Sequence, residues 1–244
     1  AEVQLDGHRQ LDKVYGPLSL AIAEVVVRYA TPDQHGILRL TLPARALILA
    51  EVGRLLDETR SKLLPVILAS VQAARAAAQA DTEPIPVPVP EQIETISTVS
   101  RALGTDRQSV LDQTGALLLA GIVARQAASM IAKRVKEYYY KRDPATGMTQ
   151  FWPGKTNMAS QHPRLILLTE TTRAHGKVMV RLAERDNLLL KWNLSPQHRD
   201  ADACSTNARR DNGQGPGVYE ARSFPAIPQH PRCRCFASTT GRAP

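Results

Sequence analysis

The chain has 244 residues, of which 43% are hydrophobic and 22% charged, with a formal net charge of +8 and a pI near 9.7. That is apolar material for one large domain or two small ones, and it excludes a wholly disordered chain. Aromatics are only 5%, so the core is expected from Leu, Val, Ile and Ala, which favours helices over an aromatic-rich β-sandwich. No apolar run reaches the roughly 20 residues of a membrane helix, and the first residues carry no apolar signal-peptide core, so no membrane partner is expected.

In chain order, the first ten residues are polar and read as mobile or partner-bound. Leu18, Ile22, Val25, Val26 and Tyr29 then recur at helical spacing. Thr31-Pro32-Asp33 breaks that helix, and Gly36 and Pro43 bracket a short connection. A longer helix is expected from about Ala44 to Ala80, with Leu49, Val52, Leu56, Leu63, Ile67 and Val71 as its stripe. Pro65 should kink or split it. Its alanine-rich end reads as projecting into solvent or lying on a neighbouring subunit. Residues 82–90, TEPIPVPVP, favour an extended strut. They read as a spacer between a helical arm and a body, or as a surface loop within one domain.

Beyond it, Glu91 to Leu103 is expected as one helix, stopped by Gly104 and followed by a cap at Thr105 or Asp106. Leu119, Val123, Ala127, Ile131 and Val135 step by four, with Ile122 and Met130 beside them. Lys133, Arg134, Lys136, Lys141 and Arg142 crowd the far end, where cations suit a helix dipole and could also contact nucleic acid. Tyr138-Tyr139-Tyr140 reads as a partly buried cluster or as stacking partners. A turn at 143–147, an irregular stretch with Trp152-Pro153-Gly154, a helix from Pro163 to Glu184 and a short strand or buried segment at 188–194 complete the body.

The expected fold is therefore mainly α: a helical N-terminal arm over 1–81, extended rather than globular, a Pro-rich linker at 82–92, a helical body over 93–194, and a small irregular α+β Cys/His-rich region over 195–244. The arm's amphipathic helices have no core of their own, so the isolated chain is expected to oligomerise or aggregate.

The last segment is poor in aliphatics and needs a clip. Three cysteines, an odd and sparse set, make a poor disulfide framework and fit a reducing compartment. Zinc takes thiolate and imidazole in a tetrahedral shell. Cys204, His230, Cys233 and Cys235 would make a Cys₃His shell closing the intervening loop, with His198 and Asp202 in reserve as ligands or orienting groups. Free thiols and surface histidines in a loop held by neighbouring subunits are the alternative. Pro216-Gly217 suits the centre of a type II turn. No HExxH, GxSxG or kinase set is present, so the chain is expected not to be an enzyme. The catalytic alternative is a metal-dependent hydrolase or nuclease using His198, Asp202, Cys204 and His230.

Several of these residues, taken together, resemble a known family. Thr169-Glu170-Thr171-Thr172-Arg173-Ala174, Lys191-Trp192, Ser195-Pro196-Gln197-His198, Asp202-x-Cys204, Gly215-Pro216-Gly217-Val218-Tyr219 and His230-Pro231-Arg232-Cys233-Arg234-Cys235 follow one another as in the phage Mu F-like minor head proteins. The likeness runs from about Thr95 to Ala237. It implies a minor capsid protein of a tailed phage, in the virion near the portal vertex after assembly in the host cytoplasm. Its implied partners are portal protein, major capsid protein and packaged DNA. Relatives often carry a Cys or His where this chain has Asn207, a poor zinc ligand, so the resemblance bears on Zn²⁺ less directly than on family.

Overall fold

The computed structural model describes residues 2–80, 82–142, 149–151, 163–196, 198, 201–230 and 233–242, with the backbone alone at 2–5, 8, 12, 15–16, 106, 137–142, 149–151 and 163–164. The chain is mainly helical, with small strands concentrated near its C-terminus. The elements are α1 (Glu2–Arg28), β1 (Thr31–Pro32), β2 (Leu38–Arg39), α2 (Leu42–Ala78), α3 (Val89–Val123), α4 (Ala128–Tyr139), β3 (Tyr140–Arg142), β4 (Thr149–Phe151), α5 (Pro163–Asp186), β5 (Leu188–Asn193), α6 (Ala203–Arg209), β6 (Val218–Glu220) and β7 (Phe236–Arg242). The expected turn at 143–147 and the Trp152-Pro153-Gly154 stretch lie outside the described residues. Among those residues, no helix is long and apolar enough to cross a membrane.

Two compact units emerge, one of residues 1–7, 67–99 and 164–244, the other of residues 8–66 and 100–163. The chain is thus divided elsewhere than at the proline run, because contacts bridge that run. Gln79 donates to the Ile85 carbonyl, and Arg75 pairs with Glu91 at 3.1 Å. Residues 83–88 lie in no helix or strand, as the alternating prolines favour, but both of their flanks belong to the first unit. The alanine-rich end of α2 does not project freely either, since Ala74 is buried and Arg75 is held by Glu91 and Thr95.

The second unit is built from helical stripes. Leu18, Ile22, Val25 and Val26 of α1 are buried, as are Ile48, Val52, Leu56 and Leu63 of α2. Val110 and Leu118 of α3 and Ile131 and Val135 of α4 join them. The stripes expected to need a partner are covered within the chain. Polar ties cross the same helices: Arg28 with Glu51 at 2.6 Å, Arg107 bidentate on Asp57, and Arg45 Nε on the Gly115 carbonyl at 3.1 Å. Charge-assisted forks of this kind fix orientation more than they stabilise.

Two expected breaks do not occur. Pro65 does not split α2: it and Ser61, whose carbonyl loses its helical partner, are both exposed, and Leu63 and Ile67 beside it are buried. Gly104 lies inside α3, where burial of Val99, Leu103 and Val110 outweighs a glycine cost of about 1 kcal/mol. Thr105 does not cap a new helix; its hydroxyl donates back to the Arg101 carbonyl. The polar N-terminus is helical from Glu2, and Gly7 sits so close to Ser70 and Leu167 that a Cβ there would meet Ser70 Oγ at 2.7 Å.

One expected stripe is broken instead. The step of four from Leu119 to Val135 is not one face, because α3 ends at Val123. Gln126 N–H reaches the Gly121 carbonyl, Arg125 N–H reaches that of Ile122, and Arg125 has φ 50°. That is a Schellman stop with arginine in the left-handed position. Leu119 and Val123 are exposed while Ile131 and Val135 are buried. Gly121 makes the turn into α4 feasible, since a Cβ there would meet the Ile131 side chain at 2.5 Å.

In the first unit, α5 is buried on most of its circumference, from Leu165 to Ala183. Asn187, at φ 49°, turns it into β5, the central strand of an antiparallel sheet in the order β6-β5-β7. Leu189, Leu190 and Trp192 of β5 are buried, with Lys191 exposed between them. Gly217 is required twice: its φ is 71°, and a Cβ would stand 2.7 Å from the Ala208 carbonyl oxygen. It fills the third position of the type II turn expected at Pro216-Gly217, with Val218 N–H closing on the Gly215 carbonyl at 3.1 Å.

Candidate metal centre

Two chain segments far apart in sequence supply the site. Asp202 caps α6: its Oδ1 accepts from the Cys204 and Ser205 N–H groups at 2.9 and 3.1 Å. The cap fixes the start of a short helix and turns Cys204 inward, where it is fully buried. The second segment carries His230 and Cys233, joined by the Cys233 N–H to the His230 carbonyl, and leads through Cys235 into β7. Pro231 and Arg232 lie outside the described residues.

Cys204 Sγ stands 3.5 Å from Cys233 Sγ and 3.3 Å from His230 Nε2. The three ligand atoms of Cys204, His230 and Cys233 lie within 4.8 Å of one another and could hold a metal ion. In a tetrahedral Zn²⁺ shell with bonds of about 2.0–2.3 Å, neighbouring ligand atoms stand roughly 3.5–3.8 Å apart. The two edges from Cys204 need to open by only a few tenths of an ångström. Cys235 is buried beside them and its thiol interacts with those of Cys204 and Cys233, but its sulfur is not one of the three mutually close atoms.

Burial first, then the neighbouring Cys233 and Cys235 thiols, push the Cys204 thiol far above its ordinary range. Burial likewise raises Cys235. Crowded thiols hold their protons against one another, and a dication reverses that preference by binding the thiolates. Burial raises the Asp202 carboxyl, but the Ser205 N–H, His198, the Cys204 N–H and His230 outweigh it and hold the group below the usual range.

The two reserve residues take different places. Asp202 Oδ2 is 3.0 Å from His230 Nε2, and Oδ1 is 3.3 Å from His198 Nε2. One carboxylate therefore faces both imidazoles. His198 is also 2.9 Å from Ser205 Oγ, so its ring is engaged on the α6 side and is not among the clustered donors. Asn207 is not a donor to the cluster; its carbonyl accepts the Tyr219 hydroxyl at 2.6 Å, which ties α6 to β6. Ser205 and Tyr219 escaped sequence reasoning as parts of the site. The signal for Tyr219 was its place in the Gly-Pro-Gly-Val-Tyr run.

The cluster sits in a hydrophobic core. Leu190, Trp192, Tyr219, Ile227 and Ala237 are buried around the three cysteines. Phe224 packs on this group, edge-on to Tyr219 at 5.5 Å and 5.6 Å from Trp192. His230 and Asp202 reach the surface, with side chains 35% and 26% exposed. The Thr169 to Ala174 run lies within α5, where Glu170, Thr171, Thr172 and Ala174 are buried and Thr171 Oγ1 donates to the Leu167 carbonyl. Its place there is structural.

The basic cluster is less unified than its sequence. Lys133 and Arg134 are exposed, and Arg134 donates to Gln126 Oε1 at 3.0 Å. Lys136 is half-buried, while Lys141 and Arg142 are described only as backbone of β3. Comparison with known proteins gives no matching family model, no matching curated protein and no matching solved structure.

Proposed function

We propose that this chain is a non-enzymatic minor head protein of a tailed phage whose C-terminal region is clipped by a structural zinc ion. The observation that carries the clip is the approach of Cys204 to Cys233 and His230 across 26–29 residues of chain. Cys235, buried beside the three clustered donors, is the fourth ligand in this reading. Bound zinc would supply charge neutralisation for the thiolates and closure of the loop between α6 and β7. The His230 Nε2 that faces Cys204 also meets Asp202 Oδ2 at 3.0 Å, so a metal bound at that nitrogen would displace the carboxylate contact.

Burial favours a structural over a catalytic metal. A catalytic zinc keeps an open coordination position, whereas here three thiols lie inside an apolar cluster. The nuclease alternative needs His198 at the metal, and His198 is turned to Asp202 and Ser205.

The family reading rests on the motif order, and four of its motif segments meet around one core. Lys191-Trp192 lies on β5, the Gly215 to Tyr219 run forms the turn into β6, and the closing Cys233 and Cys235 meet Cys204. Portal or capsid protein is the proposed partner, in the virion after assembly in host cytoplasm. DNA is a secondary one, attracted by a net charge of +8. The test is native mass spectrometry of the full chain mixed with portal protein from the same genome, alongside incubation with duplex DNA and Zn²⁺, Mg²⁺ or Mn²⁺. The reading expects a portal complex and uncut DNA. Cleaved DNA, or a chain that ignores portal and capsid alike, overturns it.

A further inference from the structure

The second unit has an apolar groove that no feature of the metal centre uses. It runs between α1 and α4 and is lined by Leu20, Ala23, Val27 and Ala132, with Glu24, Arg28, Lys133 and Lys136 at its rim. Its volume is about 590 Å³. Leu20 and Val27 are 46% and 40% exposed, although the opposite face of the same helix, through Leu18, Ile22, Val25 and Val26, is buried. Helix α1 thus has two apolar faces, and the described residues cover one of them.

The exposed face has the spacing of a helix seam. Leu20, Ala23 and Val27 follow one another at i, i+3 and i+7, which brings them onto one side over about 10 Å of helix. On the other wall, Lys133 and Lys136 are three apart, with Ala132 buried at the floor. Arg28, itself engaged with Glu51, closes one end. The rim carries Lys133 and Lys136, together with the Glu51-paired Arg28, against the carboxylate of Glu24. An apolar trough two helical turns long with a basic rim is complementary to an amphipathic helix that has an apolar seam and acidic flanks. Nucleic acid fits less well, because phosphate contacts gain nothing from Leu20 and Val27.

We infer that the α1–α4 groove docks an acidic amphipathic helix of a partner protein, its apolar seam on Leu20, Ala23 and Val27 and its carboxylates against Lys133 and Lys136. This names how the partner binding proposed above is made, and so rests on that reading.

The test uses the full chain and two fluorescent helical peptides of about 18 residues. Both share a Leu seam at i, i+3 and i+7; one has Glu and the other Lys on the flanks. Anisotropy is expected to show the Glu peptide binding at least about tenfold tighter than the Lys peptide. Val27→Glu should abolish that binding, and the double variant Lys133→Glu/Lys136→Glu should reverse the preference between peptides. The charge reversal guards against a misfolded Val27→Glu protein, since an unfolded chain loses binding without changing preference. Equal binding of the two peptides, or of neither, overturns the inference. So does a 20-base-pair duplex that competes at the same lysines, or self-association that Val27→Glu alone removes. With portal protein, a complex that survives Val27→Glu sinks the groove and spares the family reading. Peptide binding without any portal complex does the reverse.

Discussion

The helical unit of residues 8–66 and 100–163 and the C-terminal region from β5 onward solve the same problem with different materials. The first buries Leu, Ile and Val stripes from four helices, and such burial stabilises by about 25 cal/mol per Å² without any specific chemistry. The second has a three-stranded sheet and one short helix, and its buried cluster includes Cys204, Cys233 and Cys235. A core that spends three of its positions on thiols has fewer hydrocarbon contacts to close its loops. The contrast teaches where each part is vulnerable: the helices to cavities, the C-terminal region to loss of the proposed metal.

The largest effect is expected at the clip. A structural zinc site carries on the order of 10 kcal/mol of apparent binding free energy at neutral pH. Cys204→Ala should therefore unfold residues 188–242 outright and leave the helical unit intact, as limited proteolysis would read. Next come cavities, which should separate the two regions. Trp192→Ala should cost about 3–5 kcal/mol and Ile48→Ala about 2–5 kcal/mol. Only the first should lower metal affinity, measured by competition with a chromogenic chelator. Gly217→Ala comes third. Its φ of 71° and the Ala208 oxygen 2.7 Å from the added Cβ predict a loss of about 1–3 kcal/mol in a denaturant titration.

The two smallest effects sharpen the comparison in opposite directions. Gly104→Ala should stabilise α3 by about 1 kcal/mol, because the added methyl has only Arg60 Nη1 near it, at 3.9 Å. A lower Tm would mean that Gly104 is a needed hinge. His175 is the pH-sensitive element outside the clip. Burial lowers its pKa below the ordinary His value, so below about pH 6.5 the unfolded chain takes up a proton that the folded chain refuses. Stability is then full above that pH and falls as the pH drops through it toward the folded pKa. His175→Gln should flatten this part of a stability–pH curve, and an unchanged slope would remove His175 from the account.

Residue patterns marked the buried faces of α1 and α2, the helix over α5, the strand at 188–193 and the turn at Pro216-Gly217, because each depends on neighbours close in sequence. They overstated the force of Pro65 and Gly104, whose local costs are outweighed by burial that only the folded chain supplies. They also joined Leu119 to Val135 into one stripe, since nothing local signals that Arg125 would take the left-handed position. Cys204, His230 and Cys233 were legible as a donor set from residue chemistry alone. The roles of Asp202, which caps α6 while facing two imidazoles, and of His198, drawn to Ser205, were not, because both depend on how α6 is set against the loop. The groove of Leu20 and Val27 was hidden for a similar reason: exposure of that face follows from where α4 lies.

The most direct test of the central claim is hydrogen exchange by mass spectrometry on the full chain, with zinc and after a strong chelator. The account predicts one zinc per chain, lost on chelation together with protection of peptides covering β5, α6, β6 and β7, while those covering residues 42–66 and 107–123 stay protected. Equal protection of both regions in chelator, with no metal bound beforehand, would contradict it and leave the three thiols as ordinary members of an apolar core.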